Sequence, residues 1–212
     1  MHLRLGQIFH SHLGATDRAI DEWVAVLSEG ADVEDAVAAL ERLLSERTIP
    51  GWEGVAARVC DVLHPRFRDT GEWKREVAVL TVRGQLASSD RDKAAFLRMA
   101  GERLETRGNA FEAAFDAYAE SFRLFPEDPA AESGLARAAE SLWRYVEWAD
   151  ALAEAAPLAS PPTAVRLLIR LGELAQTRLD DASRAMDAYE RVLMLEPHHL
   201  AALAALDALY AA

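Results

Sequence analysis

The sequence predicts an all-α protein, a linear array of antiparallel helical hairpins with about twelve helices in 212 residues. Three observations carry this. One 27-residue pattern occurs three times without gaps, at residues 5–31, 100–126 and 171–197. Apolar residues recur at i, i+3, i+4 and i+7, as in Phe111, Ala114, Phe115, Tyr118 and Phe122. No run has the alternating, β-branched character of a strand.

The elements follow in order. Helices are expected over 2–13 and 16–29, parted by Gly14-Ala15-Thr16-Asp17, then over 34–46 and 52–63, with Gly51 between them. The fourth ends at His64, which precedes Pro65 and is placed in a loop, because proline disfavours helix at the residue before it. Gly71 marks the next turn, ahead of 71–86. Ser89 and Asp90 are cap candidates for 90–107, and Gly108-Asn109 separates that helix from 110–124. Asp128-Pro129 reads as an N-cap followed by an N1 proline and opens 129–140. Helices over 142–155, 162–178, 182–195 and 198–210 complete the array, with Ser160-Pro161-Pro162 and Asp180-Asp181 at two of the starts.

Three columns explain the repetition. Gly6, Gly101 and Gly172 coincide, as do Ala19, Ala114 and Ala185, and Trp23, Tyr118 and Tyr189. A glycine and a small alanine let two helices approach closely. The aromatic four residues after the alanine shares its face and fills the space between hairpins. The last column holds Ala31, Pro126 and Pro197.

These columns resemble the tetratricopeptide repeat (TPR). The likeness rests on Leu171-Gly172, Ala185, Tyr189 and Pro197 and their counterparts. The turn is one residue longer than the family's, the early tryptophan is missing, and Ala31 replaces proline in the first copy. The resemblance implies a right-handed α-solenoid. Residues 1–212 then form a single array, with clear copies at 1–31, 95–126 and 166–197 and degenerate hairpins between. The glycines lie 95 and 71 residues apart, and the difference, 24, is one extra helix with its loop, placed around residues 51–67. Trp73 and Trp148 share a Glu-Trp pair at a helix start. The chain opens already in phase and closes on the apolar AALAALDALYAA, so it is expected to be a piece of a longer repeat protein, with end-to-end self-association through its apolar ends.

Composition narrows the function. The net charge of −12 repels phosphate backbones and anionic lipid, so nucleic acid and membrane surfaces are not expected partners, and basic or mixed-charge protein segments are. Only two of the 23 basic residues are lysines, which with the abundant alanine reads as a GC-rich bacterial genome. No segment has a membrane-spanning or signal-peptide pattern, and a cytoplasmic setting is the default. Cys60, the only cysteine, sits at an apolar helical phase and reads as a buried thiol.

Signatures of chemistry are missing: there is no HExxH, phosphate-binding glycine loop or nucleophile elbow. His10 and His12 fall on different helix faces and make a poor metal pair, and His198-His199 sit at a helix start. No cofactor, metal or catalytic residue is assigned. The function expected is therefore a non-enzymatic protein-interaction scaffold, or else the accessory helical region of a larger enzyme or regulator.

The TPR resemblance implies a concave surface lined by the first helix of each hairpin. Carried onto this chain, it holds Gln7 and His10 in the first copy, Arg98, Glu102 and Glu105 in the second, and Arg166, Glu173 and Gln176 in the third. Glu102 and Glu173 stand where the family's carboxylate clamp has asparagine, which argues against a C-terminal carboxylate ligand. SLWRYVEWAD carries more aromatics than one face can bury, so Trp143 or Trp148 is expected to be exposed as a partner anchor.

Overall fold

The computed structural model describes residues 1–30 and 32–211; the Ala31 column lies outside them. Twelve α-helices follow one another, and no strand occurs among the described residues: α1 His2–Leu13, α2 Thr16–Glu29, α3 Val33–Ser45, α4 Trp52–Thr70, α5 Trp73–Leu86, α6 Asp90–Thr106, α7 Phe111–Leu124, α8 Pro129–Leu142, α9 Tyr145–Ala155, α10 Pro161–Leu174, α11 Ala182–Leu195 and α12 Leu200–Ala211. A short 3₁₀ turn, Ala156–Leu158, precedes α10, and a π turn, Ala175–Leu179, follows it. The fold is all-α and its hairpins are TPR-like. The chain divides into two compact units, residues 1–88 and residues 89–212.

Each unit closes its own core. In the first, Ile20, Trp23, Val37, Leu40, Val59, Leu63 and Phe67 pack together from α2, α3 and α4. In the second, Phe115, Tyr118, Phe122, Leu135, Leu152, Leu167, Leu171 and Tyr189 do so from α7 to α11.

The glycine–aromatic columns meet as a packing rule. A methyl at Gly6 would lie 2.5 Å from the Trp23 indole nitrogen, and one at Gly172 the same distance from Tyr189 Cζ. At Gly101 the Tyr118 ring is 3.0 Å away. Tyr118 has a second seat, because a methyl at Gly134 in α8 would come within 2.5 Å of its Cζ. Its ring is thus shared by two hairpins.

The long turn also repeats. Gly14, Asn109 and Asp180 all take left-handed φ, at 61°, 49° and 52°. In each copy the N–H after that residue donates to a carbonyl six residues back: Ala15 to Phe9, Ala110 to Leu104 and Asp181 to Ala175, at 2.9, 2.9 and 3.0 Å. An ordinary glycine cap closes one residue sooner, and this is the extra residue visible in the sequence. Ser89 accepts from the Asp92 N–H and donates to its carboxylate, Asp128 accepts from the Ala130 N–H, and Asp181 from that of Arg184, so three of the expected starts are capped, whereas Ser160 makes no side-chain cap and its hydroxyl donates to Glu127.

Three expectations are corrected. The fourth helix does not stop at His64: α4 runs through Pro65 to Thr70. Leu63 and Phe67 are both fully buried, and this anchored apolar stripe outweighs the one hydrogen bond proline removes. His64 therefore lies inside a helix, 3.5 Å from the buried Glu76. Secondly, three helices (α3, α4, α5) do separate the first two copies where two (α8, α9) separate the others. However, the turns after α4 and α8 share a left-handed residue, Gly71 or Trp143, and a 2.9 Å bond, Glu72 N–H to Phe67 or Arg144 N–H to Ala139. In that register the additional helix is α3, not α4. Thirdly, the same register sets Trp73 against Tyr145 rather than Trp148, so the two Glu-Trp pairs are not equivalent.

Candidate functional site

The first helices of the hairpins present the candidate face. In the first unit, a groove of about 300 Å³ runs between α1 and α3. Gln7 and His10 form one wall, Asp35 and Arg42 the other, and Trp23 of α2 lies at its floor. His10 stands edge-on to the Trp23 ring and 3.1 Å from Glu46. Cys60 lies behind this face, fully buried, and burial pushes its thiol up to about 12, which makes it an inert core residue.

In the second unit, α6, α8 and α10 form the corresponding face, and its predicted residues are largely committed to one another. Arg98 pairs with Glu102 one turn on and lies 3.0 Å from Asp128, the cap of α8. Glu105 receives both arms of Arg137 at 2.8 Å and the Tyr118 hydroxyl at 2.7 Å. The Arg137 guanidinium holds the Glu105 carboxyl below its usual range, and burial raises the Tyr118 phenol. Arg166 pairs with Glu132 of α8. Gln176 accepts from the Tyr189 hydroxyl at 2.8 Å. Only Glu173 is loosely held, 4.0 Å from Arg170. Most of this face is an internal ladder between successive hairpins.

The sequence reading missed the other half of that ladder. The signal was present: Glu105 and Arg137 lie 32 residues apart, and Glu132–Arg166, Glu41–Arg75 and Asp150–Arg184 each lie 34 apart. Opposite charges offset by one hairpin length stitch neighbouring hairpins.

The two candidate aromatic anchors part company. Trp143 is 78% exposed, whereas Trp148 is 3% exposed and belongs to the core, which corrects its expected exposure. Helix α9 turns Trp148 inward with Ala149 and Leu152, one apolar stripe at helical spacing. Its indole N–H meets no acceptor among the described residues. Trp148 instead borders a pocket of about 290 Å³, with Glu140 of α8, Arg170, Glu173 and Leu174 of α10, and Thr177 and Arg178 of the π turn.

Another groove, of about 410 Å³, runs between α7 and α9 over Phe115 and Ala151. Four of its five carboxylates, Asp116, Glu120, Glu147 and Asp150, are paired with Arg144, Lys93, Arg123 or Arg184, which makes it an ion-paired, solvated surface. Among the described residues no group of three His, Cys, Asp or Glu side chains could hold a metal ion, and no helix is long and apolar enough to cross a membrane.

No family model and no curated protein matches this sequence. Solved structures do resemble the fold. A thermophilic TPR protein from Thermus thermophilus is 16% identical, with 100% of this chain and 98% of that chain covered at a TM-score of 0.35. The assembly chaperone of RpL4 (Acl4, residues 1–338) is 19% identical, with 99% and 81% covered and a TM-score of 0.34.

Proposed function

We propose that this chain is a non-enzymatic protein-interaction scaffold that takes a segment of basic or mixed charge on the face of its first helices. The observation that carries this is a pair of grooves. Each unit has one on that face, and each is bordered by a tryptophan from a second helix, Trp23 in one and Trp148 in the other. Concave sites with an aromatic wall and a few polar groups are the usual form of a recognition site. The net charge of −12 favours cationic or mixed partners in encounter. The test is capture from the native lysate by wild type and by Glu102→Arg with Glu173→Arg. Loss of a specific partner in the double variant supports the reading. Equal capture moves the site off this face.

A second reading, self-association, is favoured by α12, where Leu200 (81% exposed), Leu203 and Tyr210 stand in solvent. Exposed large apolar side chains gathered on one helix are the usual material of a contact surface. Leu200→Asp with Leu203→Asp should abolish any concentration-dependent dimer seen by sedimentation. A monomer at all concentrations in wild type ends this reading.

A further inference from the structure

The turn between α8 and α9 places a large aromatic where the fold asks for glycine. Trp143 has φ 59° and ψ 26°. The equivalent position after α4 is Gly71, with φ 75° and ψ 18° and the same closing hydrogen bond. Left-handed backbone is strained for a bulky residue, and burial does not offset that strain here because the indole is in solvent. Trp143 stacks edge-on to Tyr145, with ring centres 6.0 Å apart.

From Tyr145 the surface leads directly into the pocket of α8, α9 and α10. Arg178 lies over the Tyr145 ring at 5.3 Å, and Arg170 over the Trp148 ring at 5.4 Å. Arg178 has no carboxylate partner among the described residues, and Arg170 has only Glu173 at the edge of range. This contrasts with the committed arginines of the ladder. Thr177 and Arg178 reach the pocket from the π turn Ala175–Leu179. Trp148, almost wholly buried, adds an indole N–H without an acceptor. The pocket therefore offers two exposed guanidinium groups, Arg178 without a carboxylate partner among the described residues and Arg170 with only a distant one, and one buried indole N–H without an acceptor. Two exposed carboxylates, Glu140 and Glu173, border the same pocket.

We propose that this pocket docks a protein segment carrying a carboxylate side chain beside an apolar or aromatic one. The carboxylate sits between Arg170 and Arg178, within reach of the Trp148 N–H, and the apolar neighbour packs on Trp143 and Tyr145. Glu140 and Glu173 select against a run of acidic residues, so the segment has mixed charge. This rests on the scaffold reading and specifies the partner's chemistry at one of its two grooves.

The probe is a phage-displayed library of random heptapeptides, selected against the full chain, Arg170→Ala with Arg178→Ala, and Trp143→Gly. All three substituted residues are exposed, and circular dichroism checks that the variants fold. Peptides enriched by wild type should carry Asp or Glu next to Phe, Leu, Trp or Tyr. Their recovery should fall at least tenfold on each variant, and one such synthetic peptide should shift the Trp148 indole ¹⁵N–¹H signal. Enrichment of peptides without an acidic residue, or equal recovery on the variants, overturns the proposal and leaves the scaffold reading standing. No enrichment over an unrelated protein overturns it as well, and lysate capture by the Glu102 and Glu173 variant then decides the scaffold reading separately.

Discussion

An alanine at Gly134 would put its methyl into the ring of Tyr118, and one at Gly172 into Tyr189. In an open helix the same change is favourable by about 0.5–1 kcal/mol. At these seats overpacking should reverse the sign, to a loss of roughly 1–3 kcal/mol. Gly54, in α4, provides the control: nothing lies within 4 Å of its added methyl, and Gly54→Ala should raise stability. Urea titration of the three variants checks the contrast, and a stabilised Gly134→Ala would refute the packing rule. Ala185→Leu, at a fully buried column, should likewise lose roughly 1–3 kcal/mol. Gly6, Gly101 and Gly172 were legible because they repeat in register with an aromatic. Gly134 was not, since it lies outside the aligned copies, although it falls 33 residues after Gly101. Cys60 was legible from its helical phase, and its raised thiol predicts that a thiol reagent at pH 8 labels it only at the rate of unfolding.

At the scale of elements, helix ends were read from caps and turn residues, and most boundaries agree with the structure within a few residues. Ser89→Ala should cost about 1 kcal/mol through the start of α6, read as a lower Tm. Trp143→Gly should have the opposite effect, a gain of about 1 kcal/mol, by relieving the left-handed turn after α8. A variant that is more stable yet loses its peptide would show that the tryptophan is kept for contact and not for folding. The end of α4 was not legible. Pro65 is a local signal, and the burial of Phe67 that overrides it is a tertiary one. The link between α6 and α8 has a pH signature. Glu105 is held below its ordinary carboxyl range by Arg137, so its contribution is present above the unfolded value near 4.3 and is lost as pH falls through the lower folded one. Glu105→Gln should therefore flatten the acid limb of the stability profile while leaving its slope near neutrality unchanged.

At the scale of the whole chain, residues 1–88 and residues 89–212 each hold a core of their own. Unfolding is expected in two steps, with Gly134→Ala lowering only the transition of the second unit and Gly6→Ala only that of the first. Calorimetry decides this, and a single transition that moves with both variants would contradict it. Fold class was the most legible level, because a gapless repeat needs only one packing solution. Of the residues that the TPR resemblance puts on the face of first helices, Gln7, His10 and Glu173 border grooves. What those residues do with their charges was not. Pairing between Glu105 and Arg137 depends on two helices being set side by side, which no single segment encodes. The pocket around Trp148 was likewise out of reach, because its lining comes from three helices and a turn.

The double seat of Tyr118 also sets a clock. Its ring is edged by Gly101 on one side and Gly134 on the other, and its hydroxyl is tied to Glu105. A half-turn of the ring about its own axis sweeps through space those two backbones occupy, so α6 and α8 must part for it to happen. At room temperature the two edges of the ring should give separate proton signals in slow exchange. The temperature at which they merge then measures how often neighbouring hairpins breathe apart in the folded protein.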